Sequence, residues 1–80
     1  MRERLERMLT PEVSALGYGL LKLEYVTESG GRVLRLYIDR PGGITVEDCA
    51  RVSRQVSQVL DREDPIAEHY TLEVSSPGTD

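Results

Sequence analysis

"YIDRPGGITVEDCARVSRQV", residues Tyr37 to Val56, contains the two changes of pattern that decide the fold. An alternating run ends at Asp39, Arg40-Pro41-Gly42-Gly43 turns the chain, and from Thr45 the apolar positions recur at helical spacing. Thr45 stands where its side chain can cap the amide of Asp48, three residues on, and an acidic residue there can reach back; Ile44 and Cys49 have the spacing of a hydrophobic staple. The helical period puts Val46, Cys49, Ala50, Ser53, Val56, Ser57 and Leu60 on one face, and Glu47, Arg51, Arg54, Gln55 and Gln58 away from it. Ala50, Ser53 and Ser57 are small enough to let this helix lie close against a sheet.

Upstream of the corner the period is two, from Tyr18 to Thr27 and from Arg32 to Asp39. A turn centred between Ser29 and Gly30 sets Leu21 opposite Ile38, Leu23 opposite Leu36 and Tyr25 opposite Leu34, all apolar and on one face. The same register sets Glu24 opposite Arg35 and Lys22 opposite Tyr37 on the other face. Leu20, Val26, Val33 and Tyr37 then fall on that wetter face, where a partner or a second domain would cover them.

In the first sixteen residues Leu5, Met8, Leu9, Val13 and Leu16 form one stripe within about 140° of arc. Pro11 points roughly opposite the stripe, which predicts a kinked continuous helix, with a fresh start at Thr10 and Pro11 as the alternative. Gly17 is placed to stop the helix with a left-handed cap. Beyond the second helix, Asp61 to Pro65 reads as a loop, and Tyr70, Leu72 and Val74 alternate with Thr71, Glu73 and Ser75 as a third strand. Ser76-Pro77-Gly78 turns the chain out of it.

The expected fold class is therefore α+β: an αββαβ domain of two layers, with a three-stranded sheet and both helices on one face. Residues 1–75 form the domain, and 76–80 begin a linker. Which edge the third strand joins is open at this point.

Composition narrows the function. The chain has 80 residues, room for one small domain. No apolar run approaches a membrane span and no signal-peptide core follows Met1, so a cytoplasmic protein without a membrane partner is expected. One cysteine and one histidine exclude an internal disulfide and the common multi-cysteine zinc sites. Fourteen acidic against ten basic residues argue against bulk attraction to a nucleic-acid backbone, while leaving room for a local basic patch.

Candidate sites are few. A phosphate-binding loop needs free successive amides and normally a Lys before Ser or Thr; the corner has no Lys, and Glu47 and Asp48 put negative charge at the helix's positive end. The corner therefore turns the chain, and Gly42 and Gly43 are left as places where backbone can meet a partner. Cys49 faces inward as a small hydrophobe, and His69, the one histidine that could serve a thiol as base, precedes a strand and reads as a loop or edge residue. The acidic residues at 47, 48, 61, 63 and 64 read as capping and solvation rather than as a metal or acid-base pair. Arg40, Arg51 and Arg54 can converge on a phosphate or an acidic protein surface; the plain alternative is scattered helix-surface charge, since Glu47 lies one turn before Arg51 and two before Arg54.

The run "LYIDRPGGITVEDCARVSRQVSQVLD" followed by "YTLEVSSPG", with "ALGYGLLKLEYV" entering the first strand, resembles the amino-terminal domain of the bacterial ribosome maturation factor RimP over essentially the whole chain. The resemblance implies a non-enzymatic factor, without cofactor, metal or small-molecule substrate, that binds the free small ribosomal subunit or its precursors and helps late maturation. It implies a carboxy-terminal barrel like an SH3 domain as a further partner, and it singles out Arg40-Pro41-Gly42-Gly43 and Ser75-Ser76-Pro77-Gly78 as the matching motifs. The candidate binding residues are thus Arg40, Gly42, Gly43, Arg51, Arg54, Ser75, Ser76 and Gly78. Two readings of other classes stand beside it: a domain that only supports its neighbour, and a KH-like RNA module, which would need a Gly-x-x-Gly clamp that none of the seven glycines is spaced to form. No nucleophile, base and oxyanion donor converge in the sequence as an enzyme would need.

Overall fold

The structure is a computed structural model and describes residues 1–77. Gly78, and with it most of the linker expected over 76–80, lies outside the described residues. The elements follow in the expected order: α1 (Arg2–Ala15), β1 (Gly19–Glu28), β2 (Gly31–Asp39), α2 (Val46–Glu63) and β3 (Tyr70–Ser75).

Leu5, Leu9 and Val13 form the buried stripe of α1, which runs unbroken through Pro11 with that ring in solvent. The fresh start at Thr10 does not occur. At the other end, Tyr18 N–H donates to the Val13 carbonyl (3.2 Å) and Gly17 N–H to that of Ser14 (2.9 Å), and Gly17 has φ +94°. This is a Schellman stop, and it aims the chain directly into β1.

β1 and β2 are antiparallel, and the expected register holds from Lys22 opposite Tyr37 to Glu28 opposite Gly31. It breaks toward the start of β1. A bulge between Leu20 and Lys22 brings Leu20, not Leu21, opposite Ile38; Leu20 packs against the core and Leu21 is 58% exposed. One extra residue in a strand reverses every side chain beyond it, so period-two counting inverts this pair. Val33, on the face without helices, is nevertheless buried, because it lies in the middle strand between Val26 and Thr71.

β3 joins β2 in parallel, giving the order β1-β2-β3. Leu34, Leu36 and Ile38 on β2 meet Leu5, Leu9 and Val13 from α1 and Val52, Val56, Val59 and Leu60 from α2 in one core, so both helices cover the same sheet face. The buried face of α2 is turned from the expected one by roughly a fifth of a circle. Val52 and Val59 are inside, whereas Val46 is 86% exposed and Ala50 is also exposed. Burying two valines removes more apolar area from water than burying small residues does, and this sets the rotation.

Candidate functional site

Because β2 and β3 are parallel, both leave the sheet at the same end. Tyr37 pairs with Ser75 near that exit, so the corner at 40–43 and the chain at 75–77 emerge together, beside the start of α2. The entry to β1 is there too, with Gly19 opposite Asp39.

The corner itself is a turn. Gly43 N–H donates to the Arg40 carbonyl (3.1 Å), with Pro41 at the second position and Gly42 at the third with φ +92°. That arrangement is a type II turn, which requires a positive φ at its third residue; Gly43 follows at φ +94°. The capping box forms next: the Thr45 hydroxyl accepts from Asp48 N–H (3.1 Å) and Asp48 Oδ2 accepts from Thr45 N–H (2.8 Å). The amides of Gly43, Thr45 and Asp48 are thus occupied internally, in line with a corner that turns the chain rather than cradling phosphate.

Behind the turn lies a polar cluster. Tyr18, buried at the mouth of β1, donates its hydroxyl proton to Asp48 Oδ1 and accepts from Arg51 Nη1 at 3.2 Å. Arg40 Nη2 stands 3.2 Å from Asp48 Oδ2, its Nε donates to the Gly43 carbonyl (3.2 Å), and its guanidinium lies 5.1 Å from the centre of the Tyr18 ring. Asp48 is almost wholly buried, with Oδ1 engaged by Tyr18 and Oδ2 by both Thr45 N–H and Arg40, so its charge is tolerated. The Tyr18 hydroxyl, the Thr45 amide and hydroxyl, and Arg40 hold its carboxyl down at about 2, against the opposing effect of desolvation. The same hydrogen bond to Asp48, followed by burial, pushes the Tyr18 hydroxyl up. The cluster pins strand entry, corner and helix start to one another.

Residues 8–80 match the RimP N-terminal domain. The chain belongs to that family. RimP is a ribosome maturation factor, and the corner motif and residues 75–77 of the exit motif of this RimP N-terminal domain both stand at the one sheet end just described.

Of the candidate residues, the structure brings together Arg40, Gly42, Gly43, Arg51, Ser75 and Ser76. Arg40 is turned inward, Ser75 is half-buried in the ladder with Tyr37, and Ser76 is buried with its hydroxyl 3.5 Å from the Pro77 carbonyl. Arg51 turns to Tyr18 and not to Glu47, while Arg54, one turn further along α2, is exposed and outside the cluster. Alongside these, Ile44, Thr45, Val46, Cys49, Val74 and Ser75 line a shallow hollow of about 460 Å³. Cys49 is half-buried there, and burial, with Asp48 nearby, pushes its thiol up, away from the reactive thiolate. His69 is exposed in the loop before β3.

Sequence reading missed Tyr18, and saw in Asp48 a cap only. The predicted register, continued without a bulge, sets Tyr18 opposite Pro41; only the bulge between Leu20 and Lys22 carries Tyr18 round to Arg40, so the sequence pointed one residue away. The open sheet face shows the opposite arrangement, with Arg35 clasped by Glu24 (3.6 Å), Glu28 (3.4 Å) and Glu73 (2.8 Å) and Tyr37 donating to Glu24. Three carboxylates around one guanidinium make that face a poor seat for a nucleic-acid backbone.

Proposed function

We propose that this domain is the non-enzymatic amino-terminal part of a cytoplasmic assembly factor that binds the free small ribosomal subunit or its precursor and assists its late maturation, presenting the corner end of the sheet. The observation that carries the reading is the convergence of the two family motifs, 40–43 and 75–77, at one end of a parallel strand pair. The apolar hollow beside them and the exposed Val46 give that end contact area that folding leaves unused. Recognition there is by contour and a few arginines, since Arg40 and Arg51 are held in fixed positions by Asp48 and Tyr18. A carboxy-terminal domain would be joined from the end of the sheet where Ser75, Ser76 and Pro77 emerge.

The test is co-sedimentation of the two-domain protein with free small subunits. Val46→Asp is the informative substitution, because the side chain supports nothing in the fold and an acidic residue in the first turn suits the helix dipole. Binding is expected to weaken at least tenfold with the melting temperature retained, and unchanged binding would rule out the corner end. Arg40→Ala and Ser76→Ala are run with a folding check, since both side chains are packed inward. The 80-residue chain alone is expected to keep part of the binding; complete loss would instead indicate a supporting domain.

A further inference from the structure

The nine arginines divide by what holds them. Arg35 is clasped by three glutamates, Arg40 by Asp48, Arg32 by Glu68 at 3.8 Å, and Arg51 by the Tyr18 hydroxyl. Arg62 reaches only its neighbour Glu63, and Arg2 only Glu6 at 3.6 Å in an exposed pair one turn along α1. Arg4, Arg7 and Arg54 have no hydrogen-bond or ion-pair partner among the described residues. Arg4 and Arg7 belong to one hollow of about 610 Å³, lined also by Met1, Arg2, Glu3 and Tyr25.

That hollow lies toward the hairpin end of the sheet, opposite the corner, where Tyr25 pairs with Leu34. Its lining sets three guanidiniums against the Glu3 carboxylate; Glu6 pairs with Arg2 just outside it, and Glu68, shared with Arg32, accepts from the Tyr25 hydroxyl at 3.1 Å, so the local balance stays positive on a chain whose net charge is −4. Guanidinium forks match phosphate oxygens, and the wall contains a tyrosine whose ring already accepts the Arg32 guanidinium at 5.4 Å. Cations with no internal partner, an aromatic ring and a positive local balance together suit a strand that offers both phosphates and base faces. An acidic peptide offers only the charge.

We propose that this hollow binds the phosphate backbone of single-stranded RNA, with Arg4 and Arg7 as the phosphate contacts and Tyr25 as the stacking wall. The proposal rests on the ribosomal reading above and gives it a second contact, at the end of the domain away from the corner.

Fluorescence anisotropy with a labelled twelve-residue oligouridine, titrated from low to moderate salt, tests it on the 80-residue chain. The parent chain is expected to bind at low salt. In Arg4→Gln/Arg7→Gln the log-log salt slope is expected to shrink by about 1.4, two contacts at about 0.7 each for a single strand. Arg4→Lys/Arg7→Lys is expected to keep the slope while losing affinity, because the charge stays and the fork goes. Arg62→Gln, an exposed arginine outside the hollow, should match the parent. Absence of binding by the parent, or a double glutamine variant with the parent's slope and affinity, overturns the proposal. Both arginines are exposed, so these variants should melt as the parent does. Co-sedimentation of the same variants with small subunits separates the two readings. A parent that sediments while the double variant is unaffected sinks only the hollow, and a parent that fails to sediment sinks the ribosomal reading even if the oligouridine binds.

Discussion

The corner's glycines are conformational, and alanine substitution measures this. Gly43 has φ +94°, and a Cβ built on it meets no atom within 4 Å, so Gly43→Ala brings no clash and only the backbone penalty. A left-handed L-residue costs roughly 1–2 kcal/mol. Against this, alanine restricts the unfolded chain and recovers about 0.4–1 kcal/mol. The net expectation is a loss of about 1 kcal/mol, which for a domain of this size lowers the melting temperature by about 4–8 °C. Gly19 is the control inside the same molecule. It has no positive φ, and its Cβ would sit 3.7 Å from the Asp39 carbonyl oxygen, an ordinary contact. Gly19→Ala therefore feels only the unfolded-state effect and is expected to hold or raise the melting temperature. Thermal melts by circular dichroism, with urea titrations to check that the m value is unchanged, give both numbers. A Gly43→Ala chain as stable as its parent, or a Gly19→Ala chain that loses as much, would refute the argument that this corner needs glycine for its backbone.

Asp48 gives a pH test: its carboxyl is held at about 2 in the folded chain, below an ordinary aspartate near 4, so the stability it contributes is present above pH about 4 and lost as pH falls through about 2. Urea midpoints between pH 5 and 2 should fall more steeply for the parent than for Asp48→Asn; parallel curves would remove Asp48 as the cause. The face of α2 is tested by two valines: Val52→Ala, at a fully buried position, is expected to lose about 2 kcal/mol, and Val46→Ala less than about 0.5 kcal/mol. Equal losses in denaturant titrations would mean that the helix is rotated back toward the face its small residues suggest.

Most of the fold was legible because its signals are local. The Gly17 stop, the Thr45–Asp48 box and the Ser29–Gly30 turn each lie within a few residues, and each formed as read. What failed depended on a competition between distant parts. The bulge at Leu21 is settled by which leucine meets Ile38 and the core, and nothing in "GLLK" marks which of the pair is the extra residue. The rotation of α2 is settled by summed apolar burial against both α1 and the sheet, so small residues near the predicted face misled. Of the site, the motifs were legible and their meeting was not, because it depends on β3 joining β2 in parallel.

That parallel pairing follows from lengths. β2 has nine residues and spans about 30 Å, and α2 has eighteen and returns about 27 Å, so the crossover brings the chain back to the hairpin end before β3 begins. β3 must then run forward beside β2, which has a free edge because β1 occupies only the other. Its six residues end at Ser75, level with Tyr37, and the next residues can only emerge beside the corner. The cluster of Tyr18, Arg40, Asp48 and Arg51 then has a structural reason. Strand entry, corner and helix start meet at one sheet end, and a single buried carboxylate that accepts hydrogen bonds from Tyr18 and the Thr45 amide and pairs with Arg40 holds them in register. Shape at this end is therefore fixed by Asp48 before any partner arrives, and a surface fixed in this way suits recognition by contour.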